Sequence, residues 1–421
     1  DPRFQVELTD YWGKTETVDA TPRSSDGQLL FLMEMVGKMK PIANSPIGSR
    51  IASVHNGSSL FTGDAGSGES NIRRFIIEND MLDTIIQLPN NLFYNTGITT
   101  YIWLLTNAKP EARRGRVQLI DANLMFRKLR KNLGDKNCEF APEHIDDIIA
   151  AYMAFQPVER QLDANGDPTG IAVQIFDNTD FGYHKVTIER PDRRRAQFSA
   201  ERLEPLRFDK SLREPMEHLW AEHGDKVYEH GFLKGQAKAI QAWCEEQEIA
   251  LNAKQRGKLV DTSLWLRQRD LIGVGHQLMQ AVGTEETADF NAFRDHVGKV
   301  LKARKIKLTA TEKNAILNAV SWYADDAEKV IDSIQRYSRA DLEAAAARLG
   351  CGIDELGDFG LYAQPDGSYL TYESSTDLRD SEAVPLKDSI HRYFKAEVKP
   401  HVHEAWINLD TVKIRCAAWM T

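Results

Sequence analysis

Residues Leu82 to Leu105, LDTIIQLPNNLFYNTGITTYIWLL, hold two apolar runs separated by a loop without helical spacing. The runs Leu82 to Leu88 and Ile98 to Leu105 have the length of strands, and Ile85, Ile86 and Leu88 are nearly continuous apolar residues. That pattern belongs to strands covered on both faces. No helical segment lies in Pro89 to Gly97, so the two strands are expected to pair antiparallel within a mostly parallel sheet.

Outward from this pair, the chain alternates between helix and strand periods from Ser25 to about Asp121, which indicates α/β construction. Leu29, Leu30, Met33 and Val36 follow helical spacing behind Ser25 and Asp26, either of which can cap a helix, and Pro41 ends the segment. Arg50 to Val54 reads as a strand, Ser70 to Glu78 as a helix and Val117 to Ile120 as a further strand. Ala141 to Phe155 turns helical, and Ala172 to Ile188 reads as two short strands around Asn178 to Gly182. From Arg202 to Leu349 the spacing is overwhelmingly helical, with Trp220, Phe232, Trp243, Trp265 and Phe293 recurring at helical intervals. Gly350 closes that stretch, and the remainder reads as a small α+β segment with a turn at Pro365, Asp366 and Gly367. The expected division is 1–136, 137–200, 201–352 and 353–421, with no internal repeat.

The composition fits an ordinary globular chain: 421 residues, 42% hydrophobic and 27% charged, which excludes collagen-like, low-complexity and disulfide-scaffold classes. Lys plus Arg is 53 and Asp plus Glu is 62, a formal charge of 53 − 62 = −9, so any nucleic-acid contact must be local. Cys138, Cys244, Cys351 and Cys416 form no CxxC pair, and a reducing cytoplasm is the expected compartment. No apolar run approaches the roughly 20 residues that cross a bilayer. His391, His401 and His403 lack metal-ligand spacing, and no GxSxG elbow occurs.

Three stretches bear on chemistry. Gly63 to Asp80, GDAGSGESNIRRFIIEND, runs from a glycine-rich loop into a helix N-terminus, a geometry that can hold an anion. It is neither a Walker loop, since Glu69 stands where Lys is needed, nor a GxGxxG fingerprint, since Asn71 fills the last glycine position. Two readings stay open. In one the glycines permit a mobile loop and Ser67 or Ser70 caps the helix; in the other the loop closes on DNA backbone with help from Arg73 and Arg74. The second stretch, Asn90 to Thr106, sets the aromatic pair Phe93 and Tyr94 beside Asn95 and Thr96 at the mouth between two buried strands. Enzymes that act on a base hold it, extruded, against aromatic faces, so these four residues suit a target-base pocket. The alternative is that Phe93 packs in the core and Gly97 only permits a turn. The third, Arg113 to Lys136, is locally basic through Arg113, Arg114, Arg116, Arg127, Lys128, Arg130, Lys131 and Lys136. It reads either as a phosphate-contacting surface, with Arg127, Lys128, Arg130 and Lys131 as its DNA contacts, or as a solvated charged face.

The order helix, strand, helix, strand, strand resembles the second half of a class I, Rossmann-like methyltransferase fold. The residues carry a closer resemblance, to the modification subunit of type I restriction–modification systems, the HsdM family. It rests on SSDGQLLFLMEMVGKMKP at Ser24 to Pro41, GSSLFTGDAGSGESNIRRFIIEND at Gly57 to Asp80, and LPNNLFYNTGITTYIWLLTNAKP at Leu88 to Pro110. It continues through RRGRVQLIDA at Arg113 to Ala122, IFDNTDFGYHKVTIERP at Ile175 to Pro191 and LRDSEAVPLKDSIHRYFKAEVKPHVHEAWI at Leu378 to Ile407. The resemblance implies an adenine-N6 DNA methyltransferase that uses S-adenosylmethionine and works with DNA, a specificity subunit and a restriction subunit. It assigns 1–136 to the distal part of the catalytic domain and 201–352 to subunit docking. The family's cofactor loop and its Asn-Pro-Pro-Phe/Tyr tetrapeptide, which orients the adenine amine for in-line attack on the methyl group, are not visible in this sequence. The catalytic residues therefore stay unassigned. Asp1, Pro2, Arg3 and Phe4 only look like a degenerate copy, and the neighbouring sequence suits a loop beyond the true motif. The cofactor site is expected mostly in a preceding part, which would also cover the sheet edge near residue 50; a second polypeptide or self-association are the other candidates for that edge. A catalytically silent fragment that binds DNA and partner subunits is the competing function.

Overall fold

The computed structural model describes residues 1–25 and 27–417, which fall into two compact units. The first comprises residues 1–189, 346–359 and 379–421; the second, 190–345 and 360–378. Residues 353–421, expected as one segment, are thus divided between the two, because their strands pair with different neighbours.

The first unit opens with a hairpin, β1 (Gln5–Thr9) and β2 (Thr15–Asp19), followed by helix α1 (Gln28–Val36). Gly27 occupies the N-cap position of α1 without a side-chain bond; Asp26, one of the two expected caps, lies outside the described residues. Strand β3 (Arg50–Asn56), helix α2 (Gly68–Glu78), and strands β4 (Leu82–Gln87), β5 (Thr100–Thr106) and β6 (Arg116–Asp121) follow. Next come a hairpin of β7 (Arg127–Leu133) and β8 (Lys136–Glu139), helix α3 (Pro142–Ala154), and strands β9 (Ala172–Asp177) and β10 (Gly182–Glu189).

The main sheet has the order β9-β6-β4-β5-β3. Strand β5 runs antiparallel to both β4 and β3, and the helix-free loop between β4 and β5 suits the first of these pairings. Only β4 and β6 pair in parallel, so the described sheet is not mostly parallel: β5 is inserted between β3 and β4, and β9 is added antiparallel at the far edge. At the other edge, β3 has β5 as its one strand partner among the described residues.

Alternate residues of the strands serve two cores. Ile85, Trp103 and Leu105 pack with Leu32 and Met33 of α1 and Ile72 and Ile76 of α2. Ile86, Ile120 and Val173 pack with Ala151, Ile148 and Tyr152 of α3. Full burial of a side chain such as Ile72 or Ile85 contributes about 1.5–3 kcal/mol, so this alternation fixes the register. A second sheet, with β10 central between β11 (Asp380–Pro385) and β12 (Trp406–Cys416), is antiparallel throughout and brings the late segment back into the unit.

The second unit is mainly helical, built around the long helix Thr262–Val282. Trp265 of this helix packs with Leu212, Met216, Leu219 and Ile240, while Leu271 and Ile272 pack with Phe198, Phe290, Phe293 and Ile316. Within the stretch expected to be helical, Ser321–Tyr323 and Ile331–Gln335 are strands. They are too short to break a helical window, yet β-branched and aromatic residues suit them to an extended backbone. Ser321–Tyr323 pairs with Arg194–Ala196, and Ile331–Gln335 with Tyr369–Tyr372, whose hairpin turns at Asp366 and Gly367.

Candidate nucleic-acid interface

The loop between β4 and β5 keeps its aromatic pair in solvent: Phe93 is 39% and Tyr94 60% exposed, and Ile98 is exposed beside them. Phe93 and Thr96 form an isolated bridge that folds the loop back on itself, bringing Asn95 to its tip. Phe93 therefore does not pack in the core, and the residues expected to line a base pocket stand on an open loop.

The β7–β8 hairpin meets this loop. The Asp135 N–H donates to the Tyr94 carbonyl at 3.0 Å, and the Asn137 N–H to the Asn91 carbonyl at 3.1 Å. The Asn91 side-chain amide donates to the Asp135 carbonyl at 2.9 Å, and Lys136 Nζ to the Leu92 carbonyl at 2.7 Å. Cys138 is buried in the α3-side core with its Sγ 3.2 Å from the Asn90 carbonyl, and burial raises its thiol pKa. One end of the hairpin is therefore anchored, while Arg127, Lys128, Arg130 and Lys131 on β7 are exposed. Arg127 is ion-paired with Glu139 across the hairpin at 2.8 Å. The result is a basic strand tied to an open aromatic loop on an otherwise acidic chain.

The arginines of α2 lie elsewhere, and their expected DNA contact is corrected. Arg73 is fully buried: its guanidinium donates to the carbonyls of Cys416 at 2.8 Å, Ser59 at 3.1 Å and Thr62 at 2.6 Å. Burial lowers its pKa to about 10. Arg74 is buried as well, bonded to Glu78 at 2.5 Å and to the Thr9 carbonyl. Both guanidiniums are taken up by partners within the chain. Arg113 of the basic run is also internal. It lies between the rings of Tyr152 (4.4 Å) and Phe155 (4.3 Å) and pairs with Asp83 at 3.2 Å, and the Tyr152 hydroxyl donates to the same carboxylate at 2.8 Å.

The glycine-rich loop also serves packing. A Cβ on Gly68 would stand 1.9 Å from the Thr21 carbonyl oxygen, so glycine is required for the loop to lie against residues 21–22. Ser67 holds the N-cap position of α2 but makes no capping bond, and Glu69 accepts the Arg23 N–H at 3.1 Å. Gly68 thus lies against residues 21–22, while Gly66 at the loop's turn stays exposed. Phe4, at the end of the Asp-Pro-Arg-Phe stretch, sits in the unit's core, and the Asp1 carboxylate caps its own turn by accepting the Arg3 N–H.

No helix among the described residues is long and apolar enough to cross a membrane, and no group of His, Cys, Asp or Glu among them has the arrangement of a metal site.

With this geometry in place, residues 5–168 match the N-6 DNA Methylase family model. The MjaVII methylase subunit of a type I restriction enzyme from Methanocaldococcus jannaschii is 35% identical over 99 residues, which are 22% of this chain and 16% of that protein. The HindI methylase subunit from Haemophilus influenzae is 28% identical over 176 residues, 41% of this chain and 37% of that one. Over these stretches the chain is similar to type I methylase subunits. It spans between about a sixth and about a third of these relatives' length. Among solved structures, the type I methyltransferase subunit from Streptococcus thermophilus aligns at 24% identity with a TM-score of 0.31, over 43% of this chain and 31% of that one. The EcoKI M protein aligns at 20% identity with a TM-score of 0.25, over 36% and 34%.

Proposed function

We propose that this chain is the distal part of an adenine-N6 DNA methyltransferase subunit of a type I restriction–modification system. In this reading Phe93, Tyr94, Asn95 and Thr96 hold the extruded adenine, and Arg127, Lys128, Arg130 and Lys131 hold the DNA backbone beside it. The observation that carries it is the set of hydrogen bonds fastening the basic hairpin to the aromatic loop. A flipped base has to be gripped by an aromatic surface while the neighbouring phosphates are neutralised. Here both functions sit on adjoining, mutually braced segments.

S-adenosylmethionine is the methyl donor this reading implies, and the described residues do not fit it. The glycine-rich loop among the described residues has Gly68, at the start of its helix, packed against Thr21 and Pro22. No step is therefore assigned to cofactor chemistry on this chain, and its site is placed in a further part of the enzyme. The β3 edge supports that placement: Val54 is 52% exposed there, and Phe31 and Phe61 nearby are exposed too. An uncovered strand edge with apolar neighbours favours association. The mainly helical second unit is read as the docking surface for a specificity subunit, with a restriction subunit as a further partner.

Titration calorimetry with S-adenosylmethionine tests the division of labour. The chain alone is expected to show no saturable binding, and tight binding would overturn the placement of the cofactor site. Light scattering tests the edge, where self-association is the expected behaviour and a well-behaved monomer at high concentration counts against it.

A further inference from the structure

The base-holding and backbone-holding segments are joined by a small lock that neither role requires by itself. Asn91 and Asp135 are 44 residues apart in sequence, and the Asn91 amide donates to the Asp135 carbonyl at 2.9 Å. Asn91 has φ 57°, a left-handed conformation that Asn tolerates better than most residues. That conformation aims its carbonyl at the Asn137 N–H while its side chain reaches Asp135. On the facing turn Gly134 has φ 64°, and a Cβ there would stand 2.8 Å from the Tyr94 carbonyl oxygen. Next to it, the Asp135 N–H donates to that same carbonyl. The backbone of Tyr94 is thus held by the turn of the basic hairpin, and the turn is held by Asn91.

We propose that Asn91 is a positioning residue, and that with Gly134 it couples phosphate engagement by β7 to the pose of the Phe93–Thr96 loop toward an unpaired adenine. This inference rests on the base-loop reading above. Its physical basis is that a strand gripping DNA backbone can orient a neighbouring loop only through rigid contacts, and these hydrogen bonds are the rigid contacts between the two. With the lock released, the hairpin keeps all its charges and the loop keeps its aromatic rings. The Lys136–Leu92 and Cys138–Asn90 contacts remain, so the fixed relation is loosened rather than abolished; affinity for ordinary duplex should persist while discrimination for an extruded base falls.

Fluorescence anisotropy with the full chain and two short labelled duplexes tests this. One duplex is fully paired; the other is identical except that one adenine faces an abasic site, which lowers the cost of extrusion. Wild type is expected to prefer the second duplex. Asn91→Gly removes the amide without placing a side chain at a left-handed φ, and Gly134→Ala forces the turn away from the Tyr94 carbonyl. Each should reduce the preference about fivefold, the factor carried by one hydrogen bond of ordinary strength, with the paired-duplex Kd and its salt dependence unchanged. Full retention of the preference in both variants overturns the coupling. Equal weakening on both duplexes overturns it too, because the tie would then only support the hairpin. Absence of any preference in wild type brings down the underlying base-loop reading instead, which separates the two failures.

Discussion

Arg73 and Arg74 on α2 and Arg130 and Lys131 on β7 are neighbouring basic pairs of the same kind, and they end in opposite environments. The first pair lies on a helix packed between the main sheet and the returning strand β12, so its guanidiniums bond to inward-facing carbonyls. The second lies on a two-stranded hairpin whose β7 strand is almost entirely exposed. A run of basic residues therefore says little about phosphate until its packing is known. The charge that stays free is the charge on an element with few neighbours.

The largest expected effect lies on the buried side of this contrast. Arg73→Ala leaves three inward carbonyls without their donor and opens a void, and should cost about 3–5 kcal/mol of stability by urea denaturation. An effect under about 1 kcal/mol would break the contrast. On the exposed side, replacing Lys128, Arg130 and Lys131 together with Gln should leave stability within about 0.5 kcal/mol per site. It should also lower the slope of log affinity for duplex DNA against log salt by roughly 2–3, near 0.9 per lost phosphate contact. An unchanged slope would return the hairpin to the status of a solvated face.

Within the complete enzyme, Tyr94→Ala should lower methyl transfer by about 5- to 150-fold, the range of one lost base-stacking contact of about 1–3 kcal/mol, and leave cofactor affinity much less affected. Equal losses of both would contradict the base-holding role. The smallest effect concerns an exposed pair in the second unit. Hydrogen bonds from the Thr309 N–H and hydroxyl, with Arg267 beside them, lower the Glu312 carboxyl from 4.5 to about 2. Because the folded value is depressed, Glu312 contributes stability that is complete above about pH 4.5 and is lost as pH falls toward 2. Glu312→Gln should therefore be less stable than wild type at neutral pH, with the gap closing over that window in acid melts.

Strands β4 and β5 are legible in the sequence as apolar runs, and the helix-free connection between them suits the antiparallel pairing found. The rest of the sheet is less parallel than its sequence suggests: β9 joins β6 antiparallel from far along the chain, and no local pattern announces that partner. On α2, Ile72, Ile76 and the arginines between them have the spacing of an amphipathic helix whose charged face meets water. Here that face meets β1 and β12 instead. The glycine-rich loop has the composition of an anion cradle, and only the approach of Thr21 reveals that its glycine is there for space. The lock at Asn91 left one trace in sequence, an Asn at a turn. Its partner 44 residues away carries no matching mark, since it contributes a main-chain carbonyl.

The pairing of β10 with both β11 and β12 has a consequence for the order of assembly. The first unit takes strands from both sides of an inserted helical unit, and its buried Arg73 finds an acceptor at Cys416. During synthesis that unit must wait, with the β10 edges and the α2 arginine unsatisfied, until residues 380–416 have left the ribosome. The intervening helices, rich in local contacts, are free to settle first. Chaperone dependence and proteolytic loss should therefore be concentrated in this waiting interval.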